Sequence, residues 1–277
     1  MWSDTGADGA PTMKFLQATR GFEKSLRLNA MRRLFASLAT VAALVVGCAT
    51  VPAPPAESVP ARLALFSDFK PGDPIPAAWR DWTLSRIKPK SRYELVEDAG
   101  ATVLKASAQA SASGLLHLID LDPRERPLFS WRWKVTGLAP SEASPDDSPA
   151  RIMVSFTGDI QTLPFGDRVF YDQFRLFTGQ QLPYAGLMYV WGSRTPSGGM
   201  VHNGYTSRIK IIAVESGSGK LGTWLKETRD VEADYRRLFG EEPGRIVSVG
   251  IMTETDANDR ALEAYYGNIE FQGAKGR

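Results

Sequence analysis

The sequence predicts an all-β fold, mainly antiparallel: a β-sandwich of jelly-roll type with one or two short helices. Three observations carry that expectation. Apolar and polar residues alternate with a period of two in several short segments, the pattern of strands with one buried face. Only two stretches place apolar residues at helical spacing. Turn residues interrupt the alternating segments at short intervals, as in sandwiches and barrels. Composition supports a packed core, with 43% of the 277 residues hydrophobic and 23% charged. That balance excludes a disordered or collagen-like chain. A formal net charge of +2 argues against nucleic acid as a partner. A single Cys excludes an intrachain disulfide, a multi-Cys zinc site and a CxxC redox pair, and two His leave little room for a polyhistidine metal centre.

The N-terminal region precedes the fold. Residues 31–48 read MRRLFASLATVAALVVGC: a Met, two Arg, an apolar run and a small residue before Cys48. That is the order of a secretory signal, and its core is too short to span a bilayer as a helix. Val45-Val46-Gly47-Cys48 resembles the lipobox of bacterial lipoprotein signal peptides, with Val45 where Leu is commoner. The resemblance implies cleavage after residue 47, acylation of Cys48 and a membrane partner through it. Ala49 in place of Asp then implies an outer-membrane lipoprotein of the bacterial envelope, facing the periplasm or the cell surface. A plain secretory signal is the alternative. Residues 1–30 read as an extension translated from a start codon placed too far upstream, or as a long basic region. Without residues 1–47, 27 basic and 28 acidic residues remain, so the basicity belongs to the part removed. Residues 48–62 follow as a tether, with four prolines that favour an extended chain.

The single domain expected over 63–277 is then read strand by strand. Arg92–Glu97 alternates, Asp98-Ala99-Gly100 makes a three-residue loop and Thr102–Ala106 runs back, a hairpin. Leu128–Val135 turns Phe129, Trp131, Trp133 and Val135 to one face and Ser130, Arg132 and Lys134 to the other. Arg151–Phe156 separates Ile152, Val154 and Phe156 from Arg151, Met153 and Ser155. Leu187–Trp191, Arg208–Val214, Ile246–Met252 and Ala264–Phe271 are further strands, and Glu215–Gly222 reads as a flexible hairpin. Val231–Phe239 has Val231, Tyr235, Leu238 and Phe239 at helical spacing, with Asp230 placed to cap its start and Gly240 its end. Val169–Phe177 is the second helical stretch.

Candidate site residues come from the polar faces of these strands. Arg132, Arg151 and Arg208 suit carboxylates and aromatic faces, and Asp146 and Asp147 precede Arg151. Two readings follow: a polar floor for an anionic or sugar ligand, or an Arg–Asp network tying a loop to the sheet. Trp131 and Trp133 belong to the core by alternation, whereas Trp191 and Trp224 flank Gly-rich loops and are candidate exposed stacking platforms. His117, in a Leu-rich strand, reads as a hydrogen-bonded core residue, and His202 as an exposed loop residue. No GxSxG or complete phosphate loop is present, so nucleophilic catalysis finds no support and no catalytic residue is assigned.

Several blocks together resemble the bacterial family known as domain of unknown function 3047. They are Ser111-Ala112-Ser113-Gly114-Leu115, Trp131-Arg132-Trp133-Lys134-Val135, Asp146-Asp147-Ser148-Pro149-Ala150-Arg151-Ile152 and Tyr189-Val190-Trp191-Gly192. Trp224 with Arg229-Asp230-Val231, Asp234-Tyr235 before Phe239-Gly240, and Ala264-Tyr265-Tyr266-Gly267-Asn268-Ile269 complete them. The resemblance implies an exported envelope protein and no activity. A looser resemblance is to galactose-binding-like jelly rolls, which include carbohydrate-binding modules. It rests on Phe66-Ser67-Asp68-Phe69 before Trp79 and Trp82, and on Tyr265–Phe271 closing the chain. In such modules a structural calcium can bridge the two ends; Asp68 and Glu270 stand at the matching positions, with Asn268 where an Asp would be expected, and no other cofactor is expected. The leading expectation is therefore non-catalytic binding of a glycan or other envelope ligand. The others are a polysaccharide hydrolase or lyase using Asp146 or Asp147, and an envelope scaffold that binds protein.

Overall fold

The computed structural model describes residues 59–83, 88–111, 113–138, 148–255 and 261–274. The extension 1–30, the signal segment, Cys48, most of the tether, and Asp146 and Asp147 lie outside the described residues. Ala56–Arg277 forms a compact unit of its own. Its described strands are β1 (Trp79–Thr83), β2 (Arg92–Asp98), β3 (Ala101–Gln109), β4 (Ser113–Leu121), β5 (Leu128–Val135), β6 (Arg151–Phe156), β7 (Ala185–Gly192), β8 (Met200–Val201), β9 (Ile209–Ser216), β10 (Leu225–Asp230), β11 (Ile246–Met252) and β12 (Ala261–Gln272). Helix α1 (Phe165–Thr178) joins β6 to β7, and α2 (Val231–Phe239) follows β10.

The strands form two sheets, a β-sandwich with jelly-roll character. One has the order β1-β4-β11-β6-β7-β9-β8, the other β10-β5-β12-β3-β2. All neighbours are antiparallel except β7 and β9. Alternation decides what faces inward. On β5 the inner residues are Phe129, Trp131, Trp133 and Val135, all fully buried. Opposite them β7 contributes Tyr189 and Trp191, with ring centroids 5.3 Å from Trp131 and 5.9 Å from Trp133 respectively. This aromatic column spans the space between the sheets, where large rings bury the most area per residue.

Local chemistry fixes the helices. Asp230 accepts the Ala233 N–H at the start of α2, and Gly240 ends it in the left-handed region at φ +70°. Tyr235 then packs on Phe156, 4.7 Å between centroids. Gly179 ends α1 in the same way, and Tyr171 donates its O–H to the Pro183 carbonyl.

Several expectations change. The β2–β3 loop is two residues, Ala99 and Gly100, both at positive φ, because Asp98 and Ala101 still pair. The Glu215–Gly222 segment is no hairpin. β9 lies in one sheet and β10 in the other, so it carries the chain between them, tied by Gly217 N–H to Gly192 O and Gly222 N–H to Val135 O. β10 was not expected because LKETRD shows no apolar alternation; it is an edge strand at the sandwich margin. His117 is a core residue as expected. Its Nε2 accepts the Ala64 N–H, its Nδ1 donates to Leu118 O, and burial lowers its pKa.

Candidate functional site on the five-stranded sheet

The outer face of the five-stranded sheet is where two expected site residues meet. Arg132 points away from the core because its neighbours Trp131 and Trp133 point in. Its guanidinium lies over the Trp224 ring, 4.9 Å from the centroid. Gly267 makes this approach possible: a Cβ there would sit 3.1 Å from Cβ of Arg132 and 3.8 Å from Cζ3 of Trp224. The indole N–H of Trp224 donates to Asp98 at 2.7 Å, and the Lys134 ammonium donates to the other oxygen of that carboxylate. These two donors, Lys134 first, hold the Asp98 carboxyl below its usual range. The tip of the β2–β3 hairpin is thereby tied to β5 and Trp224.

Charge on this face is uneven. Arg132 and Lys226 are direct cross-strand partners on β5 and β10. Two cations placed opposite repel, and neither forms an ion pair with a described residue. Together with Ser67, Thr102, Ser130, Asn268 and Glu270 they line a cavity of about 200 Å³. It opens where the β12 register shifts between Tyr266 and Ile269. Farther along, Lys134 lies over the Tyr265 ring at 4.3 Å, and Lys105 pairs with Glu263 at 2.7 Å.

The remaining expected site residues do not converge there. Trp191 is fully buried and donates its N–H to Gly217 O, so it is core and no exposed platform. The reason is alternation: Trp191 follows Leu187 and Tyr189 on the inner face of β7. Arg151 pairs with Glu254 at 2.6 Å, both nearly buried, opposite Val190 near the end of β7. Arg208 lies beside the start of β7, where it pairs with Glu241 at 2.6 Å and covers the Tyr184 ring at 4.2 Å. The two arginines thus sit at opposite ends of one strand and Arg132 on the other sheet, so no common floor exists. Both arginines are instead bonded to glutamates, Glu254 and Glu241, while Asp146 and Asp147 lie outside the described residues.

Asp68 and Glu270 line one cavity of about 520 Å³ with His117. Asn268 is bonded to Ser67, accepting its N–H and donating to its hydroxyl. No group of three or more His, Cys, Asp or Glu among the described residues could hold a metal ion, and a calcium ion needs six to eight oxygens.

A larger cleft of about 850 Å³ lies between the start of α1 and the loop after β8. Among its described lining residues the one carboxylate is Asp167. It accepts the hydroxyls of Thr206 and Ser207 and the Ser207 N–H, and these bonds keep it ionised against its burial. Sequence reasoning missed this cleft. Its aromatic, Tyr205, lies in a loop whose position no periodicity reveals.

No curated protein matches the chain. Among solved structures, the family 30 carbohydrate-binding module of a cellulosomal cellulase from Clostridium thermocellum aligns over 77% of this chain and 100% of that one, at 9% identity and a TM-score of 0.37. Endoglucanase 3 from Trichoderma harzianum, of family GH12, aligns over 73% and 99%, at 7% identity and a TM-score of 0.32. Residues 77–270, most of the chain, match the model of a protein family of unknown function, and the protein belongs to that family, DUF3047.

Proposed function

We propose that the domain is a non-catalytic binding module for a glycan that carries acidic groups, held on the outer face of the five-stranded sheet. One observation carries this reading: Arg132 and Lys226 stand side by side without a counter-ion among the described residues, and Arg132 is held in place by the Trp224 ring. A carboxylate, sulfate or phosphate group between them relieves the repulsion, and the Arg fork suits such groups. The 850 Å³ cleft, by contrast, offers a single, fully engaged carboxylate among its described residues, where glycoside hydrolysis commonly uses two. We further propose that the protein is exported and acylated at Cys48, so that the site serves an envelope ligand. The mass of the mature N-terminal peptide, compared with a Cys48→Ser variant, tests that part.

The binding test is thermal melting against acidic and neutral oligosaccharides, followed by calorimetry. A ligand at a hundred times its Kd adds about 2.7 kcal/mol of stability. Arg132→Ala and Trp224→Ala are expected to weaken an acidic ligand about tenfold or more, as loss of one charged hydrogen bond does. Equal affinity in the variants, or turnover of the polysaccharide, overturns the reading.

A further inference from the structure

Helix α1 carries two apolar faces. Asp167, Tyr171, Phe174 and Thr178 form one line along it, and that side packs with Leu163, Leu182 and Tyr184. Phe165, Val169, Asp172 and Leu176 form the line on the opposite side, by 3.6-residue periodicity, with Asp172 paired to Arg175 at 3.5 Å so that its charge is partly answered. In a water-facing helix that side is polar. Here Phe165 is 75% exposed, Leu176 77% and Phe177 69%. Tyr205, 78% exposed, stacks on Phe170 on the packed side of the helix and is not part of this face. An exposed patch of this kind marks an interaction surface.

The chain's course points to what covers it. The Pro60 carbonyl accepts the Asp120 N–H, next to Leu121 at the end of β4. Leu121 pairs with Ile246, Ile246 with Phe156, and Phe156 with Ala185. Phe156 and Ala185 are the two residues between which the chain leaves for α1 and returns. The tether therefore enters the domain at the same end of the sheet as α1, three strands away, about 14 Å. Ten residues, 49–58, separate Cys48 from the described chain, and fully extended they reach about 35 Å.

We infer that the outer face of α1 lies on the lipid bilayer to which Cys48 is attached, its apolar side chains entering the headgroup region. The choice of a bilayer as occupant rests on anchoring at Cys48; it is independent of the glycan reading. The arrangement follows interfacial helices, which set basic residues beside an apolar face, here Arg168 and Arg175 along one flank. One anchor and one docking helix would fix the domain's orientation.

The test is amide hydrogen exchange in residues 165–178. The chain from Cys48 onward is coupled through its sole thiol to a maleimide lipid in vesicles of phosphatidylethanolamine and phosphatidylglycerol, so natural acylation is not required. Exchange in α1 is expected to slow about tenfold relative to the uncoupled chain. The double variant Phe165→Ser, Leu176→Ser should lose that protection while staying coupled and melting as the parent does. Equal exchange in coupled and free chains overturns the inference. So does protection of the free chain that rises with protein concentration, which would show a second copy on this face.

Discussion

The outer faces of the two sheets are built on different rules. On the seven-stranded sheet Met153, Met188, Val190, Ala213 and Met252 form an apolar surface that is buried together with Trp82. On the five-stranded sheet the same side of each strand carries Arg132, Lys134, Tyr265, Lys105 and Glu94. One outer face is a second core, and the other is a charged and aromatic surface. The difference teaches where side chains are available to a ligand: the first face has spent its residues on packing, the second has not.

Two outer-face tryptophans break the comparison most directly. Trp82 crosses from β1 over Gly114 and Gly250, and its exposure is 9%. Trp82→Ala is expected to cost about 3 kcal/mol in chemical denaturation. Trp224→Ala should cost well under that, since the ring is half-exposed and its main partner is one carboxylate. Equal costs would mean that the five-stranded face is also structural. Gly250→Ala comes next, at about 1–3 kcal/mol, because its Cβ would sit 2.8 Å from Cζ3 of Trp82.

A smaller effect sharpens the picture at the edge of the seven-stranded sheet. His117 is neutral when folded and its pKa is lowered, first by burial. The unfolded chain therefore binds a proton that the folded chain refuses as pH drops through about 6.5. Stability is full above that pH and falls below it, until the folded pKa is reached. His117→Gln should flatten denaturation midpoints across that window, and an unchanged slope would reassign it to another group.

What the sequence reveals follows the same division. Leu128–Val135 alternates cleanly, so its bounds, its core residues and the outward Arg132 were all legible. Arg151–Phe156 was legible as a strand but not as one buried on nearly all sides, because Met153 and Ser155 look outward until a second layer is known. The Arg132–Trp224 contact joins residues from β5 and the β9–β10 crossing. No local pattern announces it, although each residue alone was a candidate. The separation of Arg151 from Arg208 was hidden for the same reason: register along β7, not residue type, sets it apart.

The smallest expected effect lies at the hairpin tip and links stability to the site. Ala99 and Gly100 have φ of +53° and +74°, as a two-residue hairpin turn requires. Gly adopts that conformation freely, whereas Ala pays roughly 1 kcal/mol for it. Ala99→Asn places in the turn a residue that tolerates positive φ, and a gain of about 0.5 kcal/mol is expected. Asp98, the preceding residue, is the anchor for Trp224 and Lys134. A stiffer tip holds that carboxylate in place before a ligand arrives. Ala99→Asn should therefore tighten acidic-glycan binding slightly while Gly100→Ala, strained at its positive φ, weakens both stability and binding. A change in stability without any change in affinity would separate the tip from the site and leave Arg132 and Lys226 as its whole basis.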